Sequence, residues 1–161
     1  MATTTEIAAP RLDWTVFHET VPEFATGMAS ITRALKNSGI EPELRELIKI
    51  RASQLNGCAF CIQYHLNDAR KINVPAEKLD LLAAWREAGI YSRREAAALE
   101  WTERITLLAQ HPIEDEDYAR VAEHFSSREA ALLTVAISQI NAWNRVAAAF
   151  RFTPPIPAHS S

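Results

Sequence analysis

The tightest constraint on this chain is a helix-period apolar pattern that recurs between recognisable start and stop signals along most of its length. Between Arg128 and about Phe150, residues Leu132, Leu133, Ala136, Ile137, Ile140, Ala147 and Phe150 define a helix that is apolar over more than a narrow stripe. Ser126-x-x-Glu129 stands ahead of it as a capping box. Ser92-x-x-Glu95 does the same for a segment reaching Gln110, with Ala96, Leu99, Ile105, Leu108 and Ala109 on its inner side. Pro22-Glu23 opens an earlier helix carrying Phe24, Met28, Ile31 and Leu35, and Asn37-Ser38-Gly39 ends it. A second runs from about Pro42 to Leu55 with Leu44, Leu47, Ile48 and Leu55 as its apolar face, and a third from Cys58 to about Ile72, closed by Val74-Pro75. Glu77 to Ala88 reads as one further helix stopped by Gly89, and the acidic run Glu114 to Asp117 begins a short one. Only 4 glycines occur in 161 residues, while alanine and leucine abound, which argues against a sandwich or barrel. The expectation is an all-α bundle of about seven helices, a single domain over residues 1-161 with its core at about 20-150 and loose termini, Met1 to Pro10 and the tail from Thr153.

A helix as broadly apolar as the last one either crosses the middle of its domain or lies in a subunit interface. The arm bearing Leu12, Trp14, Val16 and Phe17 must likewise pack on its own domain or on a neighbour. A homo-oligomer accounts for both and is the preferred expectation. The formal charge of -3 offers no basic surface to a phosphate backbone, so nucleic acid is excluded as a partner. No stretch has the basic start and apolar core of a signal peptide, and no window approaches the roughly 20 apolar residues that cross a bilayer. The protein is therefore expected in the cytoplasm and away from membranes, where close cysteines are more often redox-active or metal-binding than a permanent staple.

Both cysteines lie in the stretch Gly57 to His65, G-C-A-F-C-I-Q-Y-H. Asn56-Gly57 breaks the helical pattern, which puts Cys58 in or near the first turn of a new helix, where free N–H groups and the helix dipole favour a thiolate. Cys58 and Cys61 share a face at a spacing of three, and His65 stacks one turn beyond Cys61 at a spacing of four. The sulfurs can bridge, and the imidazole can exchange a proton with Cys61. If the chain reverses at Asn56-Gly57, Glu46 comes level with the region of His65 to Asp68. Spacing alone leaves Glu46 either pointing into the site or solvated, as Glu43, Arg45 and Lys49 look to be.

A zinc site normally draws at least three protein ligands, and Cys58, Cys61 and His65 crowded on one helix are awkward for a tetrahedral centre. His18, His111, His124 and His159 have no motif context and read as surface or packing residues. Neither metal nor organic cofactor is expected. A redox cycle explains more: one thiolate attacks a peroxide oxygen or a disulfide sulfur, and the other resolves the product. His65 serves as base and Glu46 as its orienting carboxylate. The contrasting class is a helical scaffold or stress-related oligomer whose cysteines only form a disulfide. Asn141, Trp143, Asn144 and Arg145 on the last helix could line a pocket, an interface or the core.

Glu46, then Cys58-x-x-Cys61 twelve residues on, then His65, resembles the active-site pattern of the alkylhydroperoxidase D (AhpD) and carboxymuconolactone decarboxylase superfamily, in its redox-type members. The likeness covers roughly residues 20 to 150 in helix order and is specific over residues 46 to 70. It implies an AhpD-like helical fold, assembly into dimers, trimers or hexamers, and an antioxidant peroxidase that acts on hydroperoxides and is recycled by an external dithiol or protein reductant. It further implies that Cys61 meets peroxide, that Cys58 resolves, and that Glu46 and His65 form the proton relay. AhpD proteins proper carry another histidine just before the second cysteine, where this chain has Phe60. The dipole argument, by contrast, favours Cys58 as the thiolate. Members that decarboxylate the muconolactone generally lack the cysteine pair, and no basic cradle for a dicarboxylate lactone is evident here.

Overall fold

The computed structural model describes residues 9–158; the first eight positions and His159 to Ser161 lie outside them, so the expectations for Met1 to Ala8 and for His159 fall beyond what it describes. Nine α-helices and one 3₁₀ turn make up the described residues, with no strand among them: α1 (Trp14–Thr20), α2 (Pro22–Lys36), α3 (Pro42–Leu55), α4 (Ala59–Lys71), α5 (Ala76–Asp80), a 3₁₀ turn (Leu82–Ala84), α6 (Trp85–Ala88), α7 (Arg93–Thr106), α8 (Asp115–Ala122) and α9 (Ser127–Phe150). The all-α expectation holds. Two additions raise the count above seven: the apolar arm is itself a helix, and the segment from Glu77 to Ala88 is broken.

That break has a packing cause. Leu79, Leu82 and Trp85 are all buried, and they lie three residues apart. In a 3₁₀ turn such positions align on one side, whereas in an α-helix they drift around it. The tighter turn therefore delivers all three to a core shared with Leu47, Ile50 and Leu99. The segment after Ser92 also stops early, at Thr106, because Gln110 and His111 fold back onto the Leu107 carbonyl ahead of Pro112. Leu108 and Ala109, expected to face inward, are exposed.

The start signals work as the residues suggest. Pro22 and Pro42 occupy the first turns of α2 and α3, and reciprocal capping boxes at Ser92/Glu95 and Ser126/Glu129 open α7 and α9. Between them α3 and α9 hold the molecule together: α3 packs on α4, α7 and α9, and α9 on α2, α3, α4, α7 and α8. Leu133, Ile137 and Ile140 of α9 are essentially solvent-free. The wide apolar face of α9 is thus spent inside one chain. The arm is covered too, because Trp14 and Phe17 of α1 pack on Phe60, Trp143, Phe150 and Phe152. Neither feature calls for a second subunit.

Arg45 departs from its expected solvated state. It is buried, and its Nη1 donates to the Ile40 carbonyl at 2.7 Å and to the Leu35 carbonyl at 3.4 Å, tying α3 to the end of α2. No helix of the described residues is long and apolar enough to cross a membrane.

Candidate functional site

The turn between α3 and α4 builds the cysteine site. Gly57 takes a left-handed conformation (φ +65°) and donates its N–H to the Gln54 carbonyl at 3.2 Å, while Cys58 N–H reaches back to the Ser53 carbonyl at 3.0 Å. This paired closure ends α3 and uses its last carbonyls. The next residue starts α4: Cys58 is extended and is the helix N-cap, its Sγ accepting the Cys61 N–H at 3.3 Å. A cap of this kind is usually an oxygen; here a sulfur lies at the positive end of a 13-residue helix. Both thiols are free and buried, at 2% and 3% exposure.

The pair shares its protons unequally. A hydrogen bond from the Cys61 thiol, with help from the Cys61 N–H and the Asn144 amide, outweighs burial and draws the Cys58 thiol down to about 7. Cys61 is pushed far up, first because its proton is held by the Cys58 sulfur, then by burial and by the neighbouring charge. Of the two thiols Cys58 is therefore the one that ionises first.

Glu46 resolves in favour of the site. Its Oε2 accepts from Nδ1 of His65 at 2.7 Å, and its Oε1 from Nζ of Lys49 at 2.9 Å. Burial pushes its carboxyl up, but the His65 hydrogen bond and the Lys49 ammonium outweigh this and hold it at about 2. Burial pushes the His65 imidazole down, against the pull of Glu46. An ionised carboxylate only accepts, so it fixes the ring proton on Nδ1 and leaves Nε2 as an acceptor. Lys49 is half-buried against this carboxylate rather than solvated. Among the described residues no hydrogen bond joins His65 to either sulfur. The expected contact between His65 and Cys61 is replaced by a shared cavity.

That cavity is about 300 Å³, a size suited to a small organic molecule. Glu46, Cys61 and His65 line it, whereas Cys58 does not. Its apolar wall is aromatic: Trp14 and Phe60 lie 5.1 Å apart, Trp14 and Trp143 5.2 Å, and Tyr64 completes that side. Phe60, at the position where AhpD proteins proper carry a histidine, is a wall residue. His18, which has no motif context, also lines the cavity, stacked on Trp143 at 5.9 Å with its Nδ1 on the Trp14 carbonyl. Its one sequence signal is the i,i+4 spacing from Trp14 along an amphipathic arm. Of the four residues grouped on the last helix, Trp143 faces the cavity, Asn141 and Asn144 are buried, and Arg145 is exposed.

The donor atoms of Glu46, His65 and Asp68 lie within 4.8 Å of one another, and neither sulfur belongs to this group. Lys49 already neutralises Glu46, and Nδ1 of His65 is committed to the same carboxylate, so the cluster has the make-up of a proton relay more than of a cation cage.

Comparison with known proteins agrees with this fold. Residues 22–104 match the carboxymuconolactone decarboxylase family. The uncharacterized protein YdfG of Bacillus subtilis is 44% identical over 133 residues, which are 83% of this chain and 90% of that protein. The crystal structure of an Agrobacterium tumefaciens protein of unknown function, proposed there to be the antioxidant defence protein AhpD, superposes with a TM-score of 0.86 at 33% identity, over 92% of this chain and 100% of the other. An uncharacterized peroxidase-related protein of Ralstonia eutropha with an AhpD core shares the fold at 22% identity, over 86% of this chain and 74% of its own, with a TM-score of 0.75. The chain belongs to the carboxymuconolactone decarboxylase family, and within it to the AhpD-like proteins that carry a Cys-x-x-Cys pair.

Proposed function

We propose that the protein is a thiol-dependent peroxidase acting on organic hydroperoxides, with Cys61 as the sulfur that meets peroxide and Cys58 as the resolving sulfur. The observation that carries this reading is that Cys61 and His65 line one aromatic cavity while Cys58 lies outside it. The proton held between the sulfurs passes from Cys61 to Cys58, leaving Cys61 as the thiolate at the cavity floor. Cys61 Sγ attacks the terminal peroxide oxygen; the S–O bond forms, the O–O bond breaks, and the departing alkoxide leaves as the alcohol with a proton taken up from solvent and relayed through Nε2 of His65. Cys58 then attacks the sulfenic sulfur, the S–S bond forms, and the S–O bond breaks to release water. Two thiols are oxidised to a disulfide and the hydroperoxide is reduced by two electrons. An external dithiol or protein reductant restores the thiols by exchange and is itself oxidised to a disulfide. Glu46 keeps His65 in one tautomer throughout. The Agrobacterium relative, at 33% identity, supports the antioxidant assignment.

Reduced protein and its Cys58→Ser and Cys61→Ser variants, treated with an aryl hydroperoxide or hydrogen peroxide, test this by thiol titration, mass spectrometry and turnover with a dithiol. Sulfenic acid is expected in Cys58→Ser, and turnover only in the wild type. Sulfenic acid confined to Cys61→Ser would reverse the order of the cysteines. Loss of two thiols without turnover would favour a second reading, thiol–disulfide exchange through Cys58, which its lowered pKa of about 7 recommends.

A further inference from the structure

Gln139 sits in the middle of α9 at 7% exposure and lines the cavity where α9 meets α2. Its amide nitrogen donates twice, to the Met28 carbonyl at 2.8 Å and to Thr32 Oγ1 at 2.8 Å. Thr32 has already given its own proton to the same Met28 carbonyl at 3.0 Å, so toward Gln139 it only accepts. Turning the amide over would set Oε1 against that carbonyl, acceptor against acceptor. The orientation is therefore locked, both hydrogens are spent on α2, and the one polar atom left is Oε1. It accepts from no group among the described residues, yet it is not one of their sealed, unpartnered polar atoms. Gln139 is otherwise enclosed, so the open side of Oε1 is the cavity that the residue lines.

The two imidazoles on the cavity wall have the same chemical sense. Nδ1 of His18 lies 3.1 Å from the Trp14 carbonyl, which can only accept, and Nδ1 of His65 lies on the Glu46 carboxylate. In each neutral ring the proton therefore sits on Nδ1, and Nε2 is an acceptor. The Tyr64 hydroxyl can act either way. The charged groups are answered locally, Lys49 by Glu46 and Asp68 by Lys71, and Lys36 is exposed. Ala25, Ala29 and Ile140 complete the lining beside the aromatic rings. Such a wall is apolar, rich in acceptors and without an unanswered buried charge.

We propose that Gln139 is the specificity-determining residue of this cavity, and that the ligand it selects is a neutral aromatic molecule bearing an O–H or N–H that Oε1 accepts. This deepens the reading of the cavity as the substrate site and rests on it, but not on the oxidant being a hydroperoxide. A ligand that fills the cavity takes the place of solvent at Oε1. One that carries a donor replaces the lost hydrogen bond, whereas one without it leaves a nearly enclosed acceptor unpaired and binds more weakly for that reason.

The test is calorimetric titration of the reduced full chain with indole and with benzofuran, which share one shape and differ in an N–H against a ring oxygen. Apolar burial treats the two nearly alike. The wild type is expected to bind indole about tenfold more tightly than benzofuran. Gln139→Met keeps the bulk and removes the acceptor, and is expected to bring the two within about twofold through loss of indole affinity. Equal affinities in the wild type, no binding of indole, or a preference that survives in Gln139→Met would overturn the proposal. Should Gln139→Met fail to fold, the side-chain amide resonances of Gln139 in ¹⁵N-labelled wild type decide. They are expected to shift on saturation with indole and much less with benzofuran; equal shifts, or none with indole, overturn the proposal. Selection of indole with no hydroperoxide turnover would remove the peroxidase reading and leave this one standing, and turnover without selection would do the reverse.

Discussion

At the scale of single residues, the acid–base pair is also a stability device. Glu46 is held at about 2 in the folded chain against 4.5 for a free glutamate, so the unfolded state takes up its proton first as pH falls. Its contribution is fully present above pH 4.5 and is lost as pH drops toward 2. Two and a half units correspond to something on the order of 3 kcal/mol. His65 acts in the same direction: burial lowers its pKa, so below about 6.5 the unfolded chain binds a proton that the native ring resists. Glu46→Gln should therefore lower stability most at neutral pH, by up to about 3 kcal/mol, and progressively less in acid. Urea unfolding at pH 7 and pH 3 measures this. A difference from wild type that does not shrink at pH 3 would show that Glu46 stabilises through packing and not through charge.

At the scale of elements, the α3–α4 turn depends on one backbone conformation. Gly57 has φ +65°, and a Cβ built there meets nothing within 4 Å, so Gly57→Ala costs backbone strain and no clash. The expected loss is about 1 kcal/mol, or roughly 2–4 °C in Tm for a domain of this size, with the Cys58 titration intact because the bond to the Ser53 carbonyl survives. Thermal unfolding with alkylation at pH 7 checks both halves. This turn was legible from the sequence because its signals are local: a glycine at the point of reversal, prolines at two helix starts, capping boxes at two others. Glu46 was half legible, since equal distance from a turn gives level but not direction. What stayed hidden depends on distant partners. Arg45 looks like any solvated arginine until the carbonyls ending α2 are brought to it, and the buried Asn144 finds its partners only in Ser53 and Asn56, 91 and 88 positions earlier in the chain. The broken segment around Leu82 was hidden because spacings of three and four are both helical in sequence, and only the shared core with Leu47 and Leu99 selects the tighter turn.

At the scale of the whole molecule, the central helices and the arm that walls one side of the cavity are different layers. The first is α3, α4, α7 and α9, which fix Glu46, both cysteines and Asn144. The second is α1, laid across them by aromatic contacts: Trp14 touches Phe60, Trp143, His18 and Phe152, with ring centroids 4.0–5.5 Å apart. Such pairs add about 0.5–1.5 kcal/mol each beyond the area they bury, enough to seat a 7-residue helix that could not persist alone. Trp14→Ala separates the two layers experimentally. It removes one wall of the cavity while leaving the sulfurs, the Glu46–His65 pair and the central helices untouched. Under the peroxidase reading, KM for a bulky aryl hydroperoxide should rise about tenfold, since losing an aromatic contact surface is worth at least as much as losing a methylene from a pocket. Turnover of hydrogen peroxide, which needs no such wall, should stay within about twofold, because the reacting atoms have not moved. Steady-state kinetics with the two oxidants gives the answer. An equal fall for both would mean that α1 acts on the cysteines themselves, and not on what reaches them.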